Sequence, residues 1–292
     1  MKRDDTVIET FDRHRPLLFS IAYRMLGSVM EAEDVMQEAY LRWQGVSGDE
    51  VRSPKSYLSA VVTRLCIDQL RSAKSRREQY VGPWLPEPLL TDSVADAADT
   101  AVLDESLSMA FLVLLESLTP TERAVFLMRE VFSYEYQEIA RIVDKSESNC
   151  RQIARRAREA VAARRPRFDV SKEQEDRLIR RFVETCVGDD MEGLLGLLSE
   201  DITLWSDGGG RVRAALNPIR GSEKVSRFLF GILGKTPGFS IRMASINGQT
   251  GIIGYVDGHP IGTVTLDIVG DLIEGIRIVV NPEKLQAIPP LS

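Results

Sequence analysis

The chain has 292 residues, of which 43% are hydrophobic and 27% charged, and its net charge is −6 at pH 7. This composition is typical of a globular protein with two or three domains, and the acidic balance excludes a uniformly basic nucleic-acid coat. Three scattered cysteines and only two histidines, His14 and His259, argue against a disulfide scaffold and a multi-histidine metal site and favour a reducing cytoplasm. The sequence shows neither the apolar core of a signal peptide nor an apolar run of about 18 residues or more, so no membrane span is expected.

Helical patterns dominate the chain up to residue 167. A broken 3.6-residue apolar stripe predicts a helix over residues 7–26, and a second helix is predicted over residues 31–43. Ser53 followed by Pro54 marks the start of a third helix, because serine caps a helix N-terminus and proline fits the first helical turn.

Residues 81–105 predict a linker that is rich in proline at its start and acidic afterwards. Trp84 lies in its PWLPEP stretch. An aromatic side chain in a proline-rich loop seldom lies free, so we expect Trp84 to dock on the N-terminal or the C-terminal domain.

The most specific signal lies in residues 116–163, which predict a helix-turn-helix. A capping box at Thr119 starts one helix. A second short helix, YQEIARIV, precedes a tight turn at Asp144-Lys145, and Ser146 caps a third, basic helix. This arrangement is typical of DNA-binding domains, although a solvated basic helix in an ordinary bundle has the same pattern.

The first residues of the third helix are expected to face base edges in the major groove. Glutamate accepts from cytosine, asparagine and glutamine pair with adenine, and arginine pairs with guanine, whereas arginines further along suit phosphates. The candidate DNA-binding residues are Glu147, Ser148, Asn149, Arg151, Gln152, Arg155 and Arg156, with Arg158 as a further phosphate contact. Cys150, Ala157 and either Ile153 or Ala154 are expected to form the buried face.

After residue 200 the pattern changes to β-rich runs separated by turn signals. Two helical segments, EDRLIRRFVETCV and MEGLLGLLS, precede these runs. The order predicts an α+β domain with a curved antiparallel sheet. Asp207 with Gly208, Gly209 and Gly210 favours a turn. The segment Asp257-Gly258-His259-Pro260 predicts a hairpin turn in which His259 would be exposed.

Catalysis in this C-terminal domain would need a well-placed acid/base pair. The candidate residues are Asp207, His259, Trp205, Tyr255 and Asp257. Because no two of them pair convincingly, we expect no enzyme activity and favour a docking or ligand-sensing role.

Several motifs resemble the extracytoplasmic-function (ECF) RNA polymerase sigma factors. The segment LTPTERAVFLMREVFSYEYQEIARIVDKSESNCRQIARRARE resembles their C-terminal, promoter-reading domain, and EDVMQEAYLRW with SYLSAVVTRLCIDQLRSAKSRR resembles their N-terminal domain. YVGPWLPEP, SDGGGRV and NPEKL resemble the group in which a SnoaL-like (NTF2-like) domain follows. The implied fold is multidomain: two all-α sigma domains, the second a helix-turn-helix, and then an α+β cone-shaped SnoaL-like domain.

The resemblance also implies domain boundaries and partners. Sigma domain 2 would span residues 1–80, the linker 81–105, sigma domain 4 residues 106–167 and the SnoaL-like domain 168–292. The expected partners are the β′ clamp helices and β flap of core RNA polymerase and promoter DNA. The SnoaL-like pocket leaves room for an unknown small ligand, and no cofactor, metal, membrane or separate anti-sigma factor is expected.

The helix EDVMQEAYLRW would dock on the clamp helices. Glu31, Asp34 and Glu38 fall at i, i+3 and i+7 on one helix face, with Gln37 beside them. Taken alone, the same pattern also fits a solvated charged face.

The next helix and the loop before it would engage the minus-ten promoter element. Its candidate residues are Arg64, Asp68, Arg71, Lys74, Arg76 and Arg77. Arg64 stands where many relatives carry asparagine, so this chain departs from the family pattern at a position linked to base preference. Trp43 and Tyr57 are expected in the core, with stacking on a flipped base as the alternative.

In the group that the motifs resemble, the C-terminal domain regulates the sigma domains in cis. The candidate interdomain residues are Trp84, Asp207, Gly208, Gly209, Gly210, Asn281, Pro282 and Lys284. The acidic linker residues Asp92, Asp96 and Asp99 either mimic nucleic-acid phosphates in the polymerase cleft or belong to a plain tether.

The sequence therefore predicts an alternative sigma factor with a regulatory C-terminal domain. A ligand-responsive helix-turn-helix repressor is one alternative, and a SnoaL-type enzyme with a DNA-binding appendage is another. The acidic helix over residues 31–41 favours the sigma factor, because a repressor needs no polymerase dock.

Overall fold

The computed structural model describes residues 2–46, 51–77, 79–91, 107–163, 170–233 and 237–291. The described residues form two compact units: 2–77, 107 and 111–163 belong to the first, and 79–91, 108–110 and 170–291 to the second. In the described part of the chain, no helix has the length and apolar character needed to cross a membrane.

The first unit is all-helical, and each predicted helix is present. Its elements are α1 (Lys2–Leu26), α2 (Val29–Gln44), α3 (Pro54–Arg77), α4 (Met109–Leu115), α5 (Pro120–Phe126) with a π-helical turn (Leu127–Val131), α6 (Tyr136–Val143) and α7 (Glu147–Ala162). The first two residues of α4 belong to the second unit.

Local capping determines where several of these helices begin. The Ser28 hydroxyl accepts from the backbone N–H of Glu31 at the start of α2. Thr119 and Glu122 form the reciprocal capping box expected at the start of α5. Ser146 caps α7, and Asp144 ends α6 in the left-handed conformation (φ 53°), which allows the tight turn between these two helices.

The helices of the two predicted sigma domains pack together within the first unit. The buried Arg123 guanidinium on α5 donates to the Met25 carbonyl of α1, and it forms an ion pair of 2.7 Å with Glu116. Burial lowers the pKa of Arg123 to about 10, so the side chain stays charged at neutral pH. The Tyr134 hydroxyl donates to Ser59 Oγ on α3 at 2.7 Å.

The second unit places three helices against one face of a six-stranded sheet. The helices are α8 (Lys172–Val187), α9 (Met191–Leu195) and α10 (Ser222–Leu233). The strands are β1 (Leu198–Asp207), β2 (Ile219–Arg220), β3 (Phe239–Ile246), β4 (Gln249–Val256), β5 (His259–Val269) and β6 (Leu272–Val279), and a 3-10 turn (Pro282–Lys284) follows them. The core between the helices and the sheet includes Ile179 and Phe182 of α8, Leu229 of α10, and Leu204 and Ile276 of the sheet.

The α+β class is as predicted, and the sheet is antiparallel as expected except at one strand pair. The strand order is β2-β1-β6-β5-β4-β3, and β1 runs parallel to β6. The chain between β1 and β6 contains α10 and three consecutive hairpin-connected strands, which brings the last strand back beside the first in the same direction.

Residues 79–91 lie in the second unit, although the sequence assigned residues 81–105 to a linker. Leu90 forms a β-bridge with Ile246 on the edge strand β3. This part of the segment therefore extends the sheet.

Candidate functional site

The helix α7 presents one buried face and one polar face. Cys150 and Ala154 are fully buried and Ala157 is nearly so, which fixes the helix against α5 and α6. Ile153, the alternative to Ala154, is only half-buried. The opposite face exposes Ser148, Asn149, Arg151, Gln152, Arg155 and Arg156, whereas Glu147 is half-buried.

Ion pairs order several arginines of this surface. Arg151 lies 3.0 Å from Glu147, and its guanidinium also stacks on the Tyr136 ring at 5.2 Å. Arg155 pairs with Glu159 and Arg158 with Glu130, each at 2.9 Å. These arginines are exposed, so their pairs contribute little to stability and can exchange for phosphate or base contacts.

The outer face of α2 combines acidic and apolar side chains. Asp34, Gln37 and Glu38 are exposed and Glu31 is half-buried. Glu38 accepts from Arg42 one turn later, at 2.8 Å.

The sequence analysis missed two exposed apolar residues on the same face. Met30 is 51% exposed and Leu41 62% exposed. Together with Asp34 and Gln37 they fall at i, i+4, i+7 and i+11, so they lie on one side of the helix. A mixed acidic and apolar surface of this kind fits a protein partner better than a purely solvated face.

On α3, the candidate minus-ten residues face the turn between α6 and α7. The Arg64 guanidinium donates to the carbonyls of Arg141 (2.6 Å) and Ile142 (2.9 Å), at the C-terminal end of α6. Asp68 and Arg71 line the same polar groove, together with Lys145. The side chains of Lys74, Arg76 and Arg77 lie outside the described residues.

In the second unit, the polar contacts centre on Asp207, whose side chain is fully buried at the end of β1. The Tyr80 hydroxyl donates to Oδ1 at 2.5 Å, and the backbone N–H of Leu85 donates to Oδ2 at 2.8 Å. The Lys284 ammonium pairs with Oδ2 at 2.7 Å. One carboxylate therefore joins the 79–91 segment to the C-terminal 3-10 turn.

The partners of Asp207 also bind each other. Asn281 Nδ2 donates to the Tyr80 hydroxyl at 3.0 Å, and Lys284 donates to the Leu85 carbonyl. The Lys284 ammonium lies over the Trp84 ring at 4.4 Å, a cation–π contact. Burial, reinforced by the hydrogen bond to Asp207, raises the pKa of the Tyr80 hydroxyl above its ordinary value, which keeps this hydroxyl protonated as a donor.

The glycines after Asp207 allow this close approach. Gly209 (φ 59°) and Gly210 (φ 71°) adopt the left-handed conformation that favours glycine. A Cβ on Gly209 would lie 2.3 Å from Asn281 Nδ2, and one on Gly210 would lie 3.2 Å from Val81 Cβ. Gly208 packs on the loop that it starts, where a Cβ would lie 2.7 Å from Ala214 Cβ.

A second set of hydrogen bonds holds the other end of the 79–91 segment. The backbone N–H of Thr91 donates to the Ser245 carbonyl at 2.9 Å, and that of Leu89 donates to Asn247 Oδ1 at 3.1 Å. The Asn247 N–H donates to the Leu89 carbonyl at 2.8 Å. We refer to residues 79–91 as the strap, because the segment runs from the end of β1 to the edge strand β3.

The remaining candidates are placed as follows. Trp43 is buried, with Tyr57 half-buried beside it at 5.9 Å between ring centroids. Pro282, the first residue of the 3-10 turn, is exposed. Asp92, Asp96 and Asp99 lie outside the described residues.

The structure does not gather the candidate acid/base residues into one site. Tyr255 is fully buried, whereas Asp257 and His259 are exposed at the β4–β5 turn. Trp205 stacks under the Arg277 guanidinium at 4.8 Å, and Asp207 is engaged by the strap. Within the described ranges, no cluster of three or more histidine, cysteine or acidic side chains is placed to hold a metal ion.

Comparisons with known proteins identify the two helical segments of the first unit. Residues 10–76 match Sigma-70 region 2, and residues 108–161 match Sigma-70 region 4. The ECF RNA polymerase sigma factor SigJ of Mycobacterium tuberculosis is 36% identical over 259 residues, which is 87% of this chain and 82% of SigJ. The chain belongs to the ECF RNA polymerase sigma factors.

Other relatives extend the similarity over nearly the whole chain. The probable ECF sigma factor SigI of Mycobacterium tuberculosis is 31% identical over 288 residues, covering 98% of this chain and 97% of SigI. The crystal structure of SigJ has a TM-score of 0.78 and 30% identity, and the match covers 98% of this chain and all of that one. The function is therefore promoter-specific transcription initiation with core RNA polymerase, by two sigma domains followed by an α+β domain.

Proposed function

We propose that this sigma factor is regulated in cis by its C-terminal unit, which binds the strap, a segment that lies between the two sigma domains in the sequence. The observation that carries this proposal is the buried Asp207 carboxylate, which binds Tyr80, Leu85 and Lys284 at once. In the sequence, the strap lies between the segments that match regions 2 and 4. Because the strap is part of the connection between the two sigma domains, a C-terminal unit that binds it limits how far these domains can separate. Binding or release of the strap would therefore shift the population between a restrained and a released state.

The promoter-reading surfaces follow from the exposed faces of the first unit. Helix α7 would enter the major groove of the minus-thirty-five element. The residues that would face bases are Glu147, Ser148, Asn149, Arg151 and Gln152, and those that would face phosphates are Arg155, Arg156 and Arg158. The candidate minus-ten residues are Arg64, Asp68, Arg71, Lys74, Arg76 and Arg77. Because Arg64 is bound to α6, reading of the minus-ten element would require α3 and α6 to separate.

The polymerase-binding surface would be the outer face of α2. Asp34, Gln37 and Glu38 supply its polar part, and Met30 and Leu41 supply apolar contact area. We propose the β′ clamp helices as the partner of this face and the β flap as a partner of sigma domain 4.

The C-terminal unit would act by binding rather than by catalysis. The Asp207 carboxylate, one of the candidate acid/base residues, is buried and bound by the strap and by Lys284. With a domain of the same chain holding the strap, a separate anti-sigma factor is not required. The site of action would be the cytoplasm, where RNA polymerase works.

Substituting Asp207→Asn tests the cis-regulation proposal. The amide keeps the shape of the side chain but removes the charge that pairs with Lys284, and breaking a buried pair typically costs about 3–5 kcal/mol. We expect faster hydrogen exchange at the amides of Leu85, Leu89 and Thr91 and more run-off transcript from purified core enzyme at equal core binding. Lys284→Met, which keeps the apolar stem over Trp84, should act in the same direction.

The matched control is Asp257→Asn, because Asp257 is exposed in a turn of the same unit and has a positive φ that asparagine tolerates. Asp257→Asn should leave the hydrogen exchange of the strap amides and the yield of run-off transcript unchanged. A released strap with an unaltered transcript yield in both Asp207→Asn and Lys284→Met would contradict regulation through this contact.

A further inference from the structure

The sheet of the second unit encloses a cavity of about 220 Å³ on the side of α8 and α10. Its walls are apolar side chains from both helices and from β3 to β6, among them Phe182, Phe228, Ile241, Ile252 and Val264. Three further lining residues, Val187, Ile232 and Ile261, are exposed by 68%, 44% and 41% of their surface. The cavity is therefore open to solvent, and an apolar molecule that enters it gains free energy by leaving water.

This cavity has few polar lining groups, and the one charged side chain among its lining residues is the cationic Arg213. Arg213 and Ser206 line it, and none of its lining residues carries a carboxylate. Burial raises the pKa of the Cys186 thiol to about 12, so this thiol adds no negative charge. No described carboxylate forms an ion pair with Arg213, whereas its neighbour Arg211 pairs with Glu283 at 2.7 Å.

The cavity and the strap lie on opposite sides of the same strand ends. Successive side chains alternate between the two faces of a strand, so Ser206 lines the cavity while Asp207 binds the strap. After β6, Val280 lines the cavity and Asn281 binds Tyr80. The backbone N–H groups of Val280 and Asn281 both donate to the Asp207 carbonyl, at 2.8 and 2.9 Å.

The loop over residues 208–216 joins both sides as well. Arg213 reaches the cavity, while Gly209 and Gly210 pack on Tyr80 and Val81 of the strap. A molecule that fixes Arg213 therefore restrains the loop on which the strap rests.

We propose that this cavity binds a small molecule with an apolar body and one anionic group, and that its binding stabilises the strapped state. The apolar walls select the body, and the Arg213 guanidinium selects the anion. A ligand shifts the equilibrium only if it binds one state more tightly. Arg213 lies on the loop whose Gly209 and Gly210 pack on the strap, so a ligand held by Arg213 favours the state in which this loop and the strap are in contact. The second half of this inference rests on the proposed regulation by the strap.

Binding is tested on the full-length protein with decanoate, a flexible apolar carboxylate, by displacement of anilinonaphthalene sulfonate and by calorimetry. We expect saturable binding, which Arg213→Ala weakens about tenfold through loss of one charge-assisted contact. Arg211→Ala is the matched control, since it removes the same charge from the same loop outside the cavity, and it should leave the affinity unchanged. Ile261→Trp at the exposed rim should block entry while the fold is retained.

The link to the strap is tested by hydrogen exchange of residues 79–91 with and without decanoate. We expect exchange to slow severalfold in the original protein and in Arg211→Ala but not in Arg213→Ala. Decanoate that binds without slowing this exchange would overturn the coupling. Absence of binding, or equal weakening by Arg211→Ala and Arg213→Ala, would overturn the site.

One competing occupant of this face is a second copy of the chain. Light scattering that shows a dimer, dissociated by Ile261→Asp and unaffected by decanoate, would identify the exposed rim as a subunit interface and overturn the proposal. If decanoate fails while Asp207→Asn still releases the strap and raises transcription, this inference alone fails and the proposed regulation stands.

Discussion

At the scale of single residues, the arginines of α7 differ in what holds them. Arg151 lies near the N-terminus of α7, in the part that we propose faces bases, and Glu147 and the Tyr136 ring hold its guanidinium. Arg158 lies two turns later and is tied to Glu130 on another element. Both guanidinium groups are held in place before binding, so each loses less conformational freedom when it binds DNA. Their positions along the helix lead us to propose that Arg151 reads a guanine and that Arg158 contacts a phosphate.

We expect Arg151→Ala or Gln152→Ala to relax discrimination at one or two upstream promoter bases. The loss is about 1–3 kcal/mol for each bidentate contact. Arg158→Ala should weaken all sequences to a similar extent and reduce the salt dependence of binding. Binding of polymerase holoenzyme to a panel of single-base promoter variants, at two salt concentrations, measures both effects. Unchanged base preference in both Arg151→Ala and Gln152→Ala would place the recognition surface elsewhere.

The sequence named some residues of the strap contact but not Tyr80 or Leu85, and their proposed interdomain role stays a prediction. The resemblance pointed to Trp84, Asp207 and Lys284 as interdomain residues. The partners of Asp207 lie 127, 122 and 77 positions away in the chain, at Tyr80, Leu85 and Lys284. Residue spacing along the chain carries no information on such distant contacts, and an aspartate before three glycines predicts a turn rather than a buried carboxylate.

At the scale of elements, the sequence predicted those features of the fold that interactions within one or two helical turns determine. Capping residues and the apolar period predicted the starts of α5 and α7, because both signals act within one or two helical turns. The parallel pairing of β1 with β6 was missed, since strand partners are chosen by long-range packing. The β-bridge of Leu90 was missed for the same reason, as a proline-rich stretch gives little strand signal.

The contact between α3 and α6 leads to a prediction at this scale. Arg64 satisfies two carbonyls at the end of α6, where helix carbonyls lack intrahelical partners and the dipole favours a cation. The Arg64 side chain is exposed, so we expect Arg64→Ala to reduce the free energy that holds α3 against α6 by only about 1 kcal/mol. The two sigma domains should then separate more often. A larger distance between a fluorophore pair placed on α3 and α6 would show this opening.

The control for this opening is Arg71→Ala, which removes an exposed arginine of the same helix that pairs only weakly with Asp68, at 3.5 Å. It should leave the distance unchanged. An equal response of the two variants would mean that Arg64 does not hold the helices together.

At the scale of the whole molecule, the C-terminal unit both carries the strap and supplies the turn that locks it. Residues 79–91 contact the sheet at two ends, through Asp207 and through Asn247. Asn281 and Lys284 close only the first of these ends. The contacts of Asn281 and Lys284 can therefore be removed while the contact of the strap with β3 remains. Removing them alone should test how the unit restrains transcription separately from how it supports transcription.

Two truncations test this division. Ending the chain after residue 280 removes Asn281 and Lys284, so the strap should loosen at Tyr80 and Leu85 and transcription should rise. Removing residues 170–292 also removes the sheet on which the strap rests; because we expect this unit to support activity as well as restrain it, transcription should fall. Ending the chain after residue 288 is the matched control, since it keeps the 3-10 turn and the buried Leu285 and Ile288, and its activity should equal that of the full chain. Run-off transcription on one promoter, at equal core binding, measures all four proteins, and equal activity throughout would leave the C-terminal unit without a regulatory role.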